Sequence, residues 1–69
     1  MKQKINLSAV PPSKIMYGYL YPIFAKPFLF GDDYQIFAEM VQESFILTPE
    51  QWEAVLIAWE QKEQILSNN

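Results

Sequence analysis

Residues 48–66 read TPEQWEAVLIAWEQKEQIL and carry the clearest structural signal in the chain. Thr48 is a favourable N-cap, Pro49 suits the first helical position, and Gln51 completes a T-x-x-Q capping box. After this start, apolar residues recur at the i, i+3, i+4 and i+7 spacing of one helical face: Trp52, Val55, Leu56 and Trp59, with Leu66 further along. The stretch predicts an amphipathic helix over residues 49–66 whose tryptophan stripe faces the core.

A second amphipathic helix is predicted over residues 33–45. Gly31 permits a turn before it, and Asp32 or Asp33 can cap its N-terminus. One face carries Ile36, Phe37, Met40, Val41 and Ser44, and the other carries Gln35, Glu39, Gln42 and Glu43. Leu47 is placed to act as a hydrophobic staple for the helix that follows. Because the connection is so short, the two helices are expected to be neighbours.

The segment over residues 15–30 is aromatic and interrupted by prolines. It holds six of the eleven aromatic residues and a single charged residue, Lys26. The residues at alternate positions, which favour a strand, are Ile15, Tyr17, Tyr19 and Tyr21. A short helical stripe would instead consist of Ile15, Met16, Tyr19 and Leu20. The pattern leaves both readings open, and Pro22 and Pro27 predict short pieces joined by bends in either case.

These elements predict a mainly α fold in one domain spanning residues 1–69. A basic, aromatic part over residues 1–31 would pack across an acidic helical pair over residues 32–69. The alternative is a small α+β fold with an N-terminal strand pair at about residues 4–10 and 14–21.

Composition excludes several kinds of chemistry. The chain has no cysteine and no histidine, which excludes disulfides and nucleophilic catalysis of the Ser-His or Cys-His type. Its two glycines cannot form a Gly-rich phosphate loop. We therefore expect a protein that is not an enzyme and holds no cofactor and no metal. The lack of cysteine and of an evident signal peptide favours the cytoplasm.

The net charge of −3 is unevenly divided along the chain. Residues 1–31 carry +4 and residues 32–69 carry −7, and there is no arginine. So few basic residues argue against nucleic-acid binding, which depends on contacts with many phosphates. The aromatic segment over residues 15–30 is shorter than the roughly 20 residues needed to span a bilayer, so a membrane partner is not expected either.

The last helix also carries apolar residues away from the tryptophan stripe. At about 100° per residue, Ile57 points away from that stripe, with Ala54 beside it and Ala58 and Ile65 on the adjoining flank. A helix with two apolar sides is either covered on both or exposes a contact patch. The chain's own aromatic segment could cover this side, or another chain could pack there.

Protein binding is therefore the preferred function, as an adaptor or inhibitor that occupies a surface of a larger protein. The residues expected to anchor the partner are Tyr17, Tyr19, Tyr21, Ile57 and Ile65. One alternative is a structural subunit that self-associates as a homo-oligomer through the same helix. The other is an acidic mimic of nucleic acid that inhibits a nuclease or polymerase through Glu53 and Glu60. The small size and acidity are also typical of phage or mobile-element products.

Overall fold

A computed structural model describes residues 3–67, and within them the chain is mainly helical, as predicted. In chain order the elements are strand β1 (Ile5–Asn6), helix α1 (Pro12–Lys14), a π-helical turn (Ile15–Tyr19), helix α2 (Tyr21–Phe24), a 3₁₀ turn (Pro27–Leu29), helix α3 (Tyr34–Ser44), strand β2 (Phe45–Ile46), helix α4 (Pro49–Glu60) and helix α5 (Lys62–Ser67).

The starts of the two long helices confirm the predicted caps. The Asp33 carboxylate accepts from the backbone N–H groups of Gln35 at 2.9 Å and Ile36 at 3.4 Å, so it caps α3. At α4, the Thr48 hydroxyl accepts from the Gln51 N–H at 3.2 Å, and the Gln51 side chain accepts from the Thr48 N–H at 2.8 Å. Both helices therefore begin where side chains satisfy backbone amides that have no partner within the helix.

The predicted helix over residues 49–66 is wrong in its length, because α4 ends at Glu60. Gln61 leaves the helical conformation with φ −109° and ψ 17°, and its N–H still reaches Ile57 O at 3.0 Å. A new helix, α5, then begins at Lys62 and packs against α2. Gln61 is an ordinary helix former, so the break has no local cause. We attribute it to tertiary packing, because α5 contacts α2, which lies far back along the chain.

A short strand pair does form, as in the alternative α+β prediction, but β1 has a different partner from the one that alternative gave it. β1 pairs in parallel with β2, with Ile5 opposite Phe45, and the Leu7 N–H extends the ladder to Ile46 O at 2.9 Å. The expected second strand at residues 14–21 is wrong: the Leu20 N–H donates to Ile15 O at 2.8 Å, which closes a π-helical turn.

The buried face of α4 is rotated from the predicted one. Its buried residues are Gln51, Ala54, Val55 and Ala58, whereas Trp52 and Trp59 are half-buried and Leu56 is 44% exposed. This is a shift of one residue, or about 100° around the helix. The π-helical turn packs against α4, and the small side chains of Ala54 and Ala58 leave room for a close neighbour. The tryptophan side is left at the edge of the core.

The rest of the core is an aromatic cluster around the fully buried Phe37 of α3. Its ring stacks on Phe24 with centroids 5.0 Å apart, and it also contacts Phe30 at 5.5 Å and Trp59 at 5.1 Å. Residues from α2, from the segment before α3 and from the end of α4 thus meet at one side chain. Such ring pairs add stability beyond the apolar area they bury.

Candidate protein-binding surface

The outer face of α4, defined here by Glu53, Leu56, Ile57 and Glu60, presents a mixed apolar and acidic surface. Leu56 is 44% and Ile57 is 45% exposed, although the opposite side of the same helix is fully buried. Helical spacing places the exposed Glu53 and Glu60 between these two side chains. The face therefore offers two aliphatic side chains with two carboxylates between them.

The covering of the second apolar side of α4 differs along its length. Ala54 and Ala58 are buried, as expected if the chain itself covers this side, but Ile57 is exposed. Ile65 is only 1% exposed, so its assignment as a surface anchor must be corrected. The break at Gln61 places Ile65 on α5, which packs against α2. Ile65 belongs to the core in this structure.

The three tyrosines of the predicted anchor set occupy different environments. Tyr17, in the π-helical turn, is exposed. Tyr19 is half-buried, and its ring meets Phe45 edge-on with centroids 5.9 Å apart. Tyr21 is also half-buried and packs on the core. Tyr17 and Ile57 are therefore the exposed members of the anchor set, and Glu53 and Glu60, assigned to the acidic mimic, are exposed as well.

The role of Gln51 extends beyond the cap that the sequence predicts. Its side chain is buried, and its amide nitrogen donates to Leu7 O and, at 3.2 Å, to Val10 O. One side chain thus caps α4 and holds the segment that follows β1. The sequence signal was slight: glutamine in place of glutamate at this capping position supplies two N–H donors.

Two further surface features escaped the sequence analysis. The 3₁₀ turn leaves Phe28 81% exposed, although its segment was expected to be core. No sequence signal distinguishes it, because Phe30 also lies between Pro27 and Gly31 and is buried. The second feature is a groove of about 500 Å³ between α3 and the start of α4, lined by Tyr34, Gln35, Ala38, Glu39, Gln42 and Trp52.

Residues 3–67 show neither of two other kinds of site. No group of three or more histidine, cysteine, aspartate or glutamate side chains in this range is arranged to hold a metal ion. None of the helices in the same range combines the length and the apolar character needed to cross a bilayer.

Compared with known proteins, the chain matches no protein-family model, no curated protein and no solved structure.

Proposed function

We propose that this protein is a small non-enzymatic protein-binding module, an adaptor or inhibitor that occupies a surface of a larger protein through the outer face of α4. The observation that carries the proposal is the exposure of Leu56 and Ile57 on a helix whose other side is fully buried. Large aliphatic side chains held at the surface of a rigid helix can enter a partner's pocket at a low entropic cost.

The charges on the same face indicate the chemistry of the partner. Glu53 and Glu60 are exposed between the aliphatic pair, and the part of the chain that contains them, residues 32–69, carries −7. A complementary surface would have an apolar strip edged by lysine or arginine. Charge complementarity of this kind sets the orientation of the partner and speeds association.

The absence of enzymatic activity is part of the proposal. With no histidine and no cysteine in the chain, proton transfer would depend on carboxylates, tyrosines and lysines. Glu53 and Glu60 lie on the exposed side of a helix, where carboxylates are ordinarily solvated. The lack of cysteine supports a reducing compartment, and we propose the cytoplasm.

A matched pair of variants tests the α4 face. Ile57→Ser removes an anchor from it, whereas Ile36→Ser makes the same change at a 42% exposed isoleucine of α3. A partner is first captured from source-cell lysate with the full chain, and its affinity for each purified variant is then measured by calorimetry. We expect Ile57→Ser to weaken binding at least about tenfold and Ile36→Ser to change it little, with helical circular dichroism unchanged in both.

Other outcomes would favour the alternatives. Equal effects of the two variants would contradict the assignment of the face. A dimer in sedimentation analysis that Ile57→Ser converts to a monomer would instead indicate a self-associating subunit. A nuclease or polymerase partner whose binding is lost with added salt and with Glu53→Gln and Glu60→Gln, and is insensitive to Ile57→Ser, would indicate the acidic mimic.

A further inference from the structure

The groove between α3 and α4 has the form of a small recognition site. Its α3 residues are Tyr34, Gln35, Ala38, Glu39 and Gln42, which recur at spacings of three and four and so share one side of the helix. Trp52 supplies the opposing wall from the first turns of α4. The groove, of about 500 Å³, is shallow and open to solvent, so it can receive a single side chain but does not enclose a ligand.

Both aromatic side chains of the groove pack against the core and remain partly accessible. The Tyr34 ring contacts Phe37 with centroids 6.3 Å apart and Trp59 at 5.7 Å, so it is anchored on the aromatic core. Tyr34 and Trp52 are each half-buried, which leaves part of each side chain facing the groove. Side chains held in this way lose little freedom when a ligand binds.

The polar lining selects the charge of the ligand. Glu39 is exposed and is the charged residue among those that line the groove in the described part of the chain. An aromatic ring face and a carboxylate together favour a cation. The chain already contains a cation placed over an aromatic ring, because Lys62 Nζ lies 4.1 Å from the centroid of the Trp59 ring. The −7 charge of residues 32–69 would attract a basic ligand from a distance.

We propose that this groove binds an arginine side chain presented by a basic segment of a partner protein. The guanidinium group stacks on Trp52 and donates hydrogen bonds to the Glu39 carboxylate. Arginine suits the groove better than lysine because the face of its planar guanidinium can stack on a ring while the N–H groups at its edge donate hydrogen bonds. The amides of Gln35 and Gln42 provide donors and acceptors for the backbone of the bound segment. None of the lining residues of the groove belongs to the outer face of α4, although Leu56 of that face lies one helical turn from Trp52.

The test uses octa-arginine as the probe and the full ¹⁵N-labelled chain as the protein. The two tryptophan indole N–H resonances, assigned with Trp52→Phe, report on the groove and on the core separately. We expect the Trp52 resonance to shift in a saturable manner and the Trp59 resonance to move much less. Octa-lysine should bind more weakly, and octa-glutamate should cause no shift.

Two glutamate variants with the same change of charge separate the groove from the general acidic field. Glu39→Gln should weaken octa-arginine binding at least about fivefold more than Glu63→Gln, an exposed position on α5. Equal weakening by the two variants would overturn the proposal, as would a Trp59 shift as large as that of Trp52 or equal binding of octa-lysine.

The outer face of α4 is tested independently with the same probe. Ile57→Ser should bind octa-arginine as the unchanged chain does, because Ile57 is not among the lining residues. Loss of binding in that variant would show that the groove is not a separate site. Loss of octa-arginine binding in Glu39→Gln together with unchanged partner binding would leave the α4 face as the main interface.

Discussion

Changing Gln51 to Glu tests whether one buried side-chain amide holds the N-terminal segment onto α4. The substitution keeps the size of the side chain and keeps an oxygen to accept the Thr48 N–H. It removes both N–H donors, leaving Leu7 O and Val10 O facing a carboxylate. The change therefore leaves the cap in place and breaks the link between two parts of the chain 44 residues apart.

The expected cost follows from the burial of the two carbonyl groups. Leu7 is fully buried, and its carbonyl oxygen keeps the hydrogen bond from the Val10 N–H at 2.9 Å, so the variant removes one of its two hydrogen bonds, worth about 0.5–1.5 kcal/mol, and brings a carboxylate oxygen against it. Val10 is half-buried, so water can replace part of what its carbonyl loses, and its share should lie near the lower end of that range. The two lost hydrogen bonds and the burial of a carboxylate against carbonyl oxygens should together cost about 2–4 kcal/mol. A domain of this size is stable by only about 3–5 kcal/mol, so the variant should be largely unfolded on modest warming.

The assay is urea unfolding followed by circular dichroism, with hydrogen exchange of the Leu7 amide as a local readout. Gln64→Glu is the matched control, because it makes the same charge change at an exposed position of α5 and should cost less than about 0.5 kcal/mol. In Gln51→Glu the Leu7 amide, which donates to Ile46 O at 2.9 Å, should exchange much faster. A loss of stability no larger than that of Gln64→Glu would refute the reasoning.

Acidification provides a second check on the same variant. Burial and two facing carbonyl oxygens should raise the pKa of the introduced carboxyl in the folded state. The folded state then binds the proton more tightly than the unfolded state, so this group's contribution favours folding below its ordinary pKa of about 4.3 and is lost as pH rises through the raised value. Relative to Gln64→Glu, the stability of Gln51→Glu should therefore recover on acidification. The protonated group can donate one hydrogen bond again.

Two further predictions concern the core and the turn before α3. Phe37→Ala removes the centre of the aromatic cluster and should cost about 3–5 kcal/mol, seen as loss of near-ultraviolet circular dichroism, whereas Phe28→Ala at the exposed 3₁₀ turn should be nearly neutral. Gly31→Ala should lower stability by about 1–2 kcal/mol in urea unfolding, because φ is 58° there. Gly18→Ala is its control, since the added methyl would meet Lys14 at an ordinary 3.7 Å, and similar losses in both variants would contradict the strain argument.

The two long helices and their caps were predictable because they depend on residues close in sequence. The bonds from Asp33 to the start of α3, and those between Thr48 and Gln51, span at most three residues. The amphipathic pattern of α3 likewise placed Phe37 and Val41 in the core, but it also put Ile36 and Ser44 on that face, and these two are exposed. Interactions of this range are similar wherever such a sequence occurs, so local rules suffice.

The candidate surface was only partly predictable for the opposite reason. Ile57 and Ile65 both belonged to the predicted anchor set, yet one is exposed and the other is in the core. The difference arises from the break at Gln61 and from the packing of α5 on α2, which joins residues about forty positions apart. The groove residues Glu39 and Trp52 were each assigned to a helix face, but their proximity depends on how the two helices pack.

By itself the sequence determined the class of fold, the starts of α3 and α4 and the separation of basic and acidic halves. Tertiary structure decided which side of α4 is buried, where that helix ends and which strand pairs with β1. The physical reason is that α4 has apolar residues almost all round, so its own periodicity allows more than one orientation. The orientation is selected by packing of the π-helical turn on α4, whose buried side includes the small residues Ala54 and Ala58, and by the Gln51 amide; both act between residues far apart along the chain.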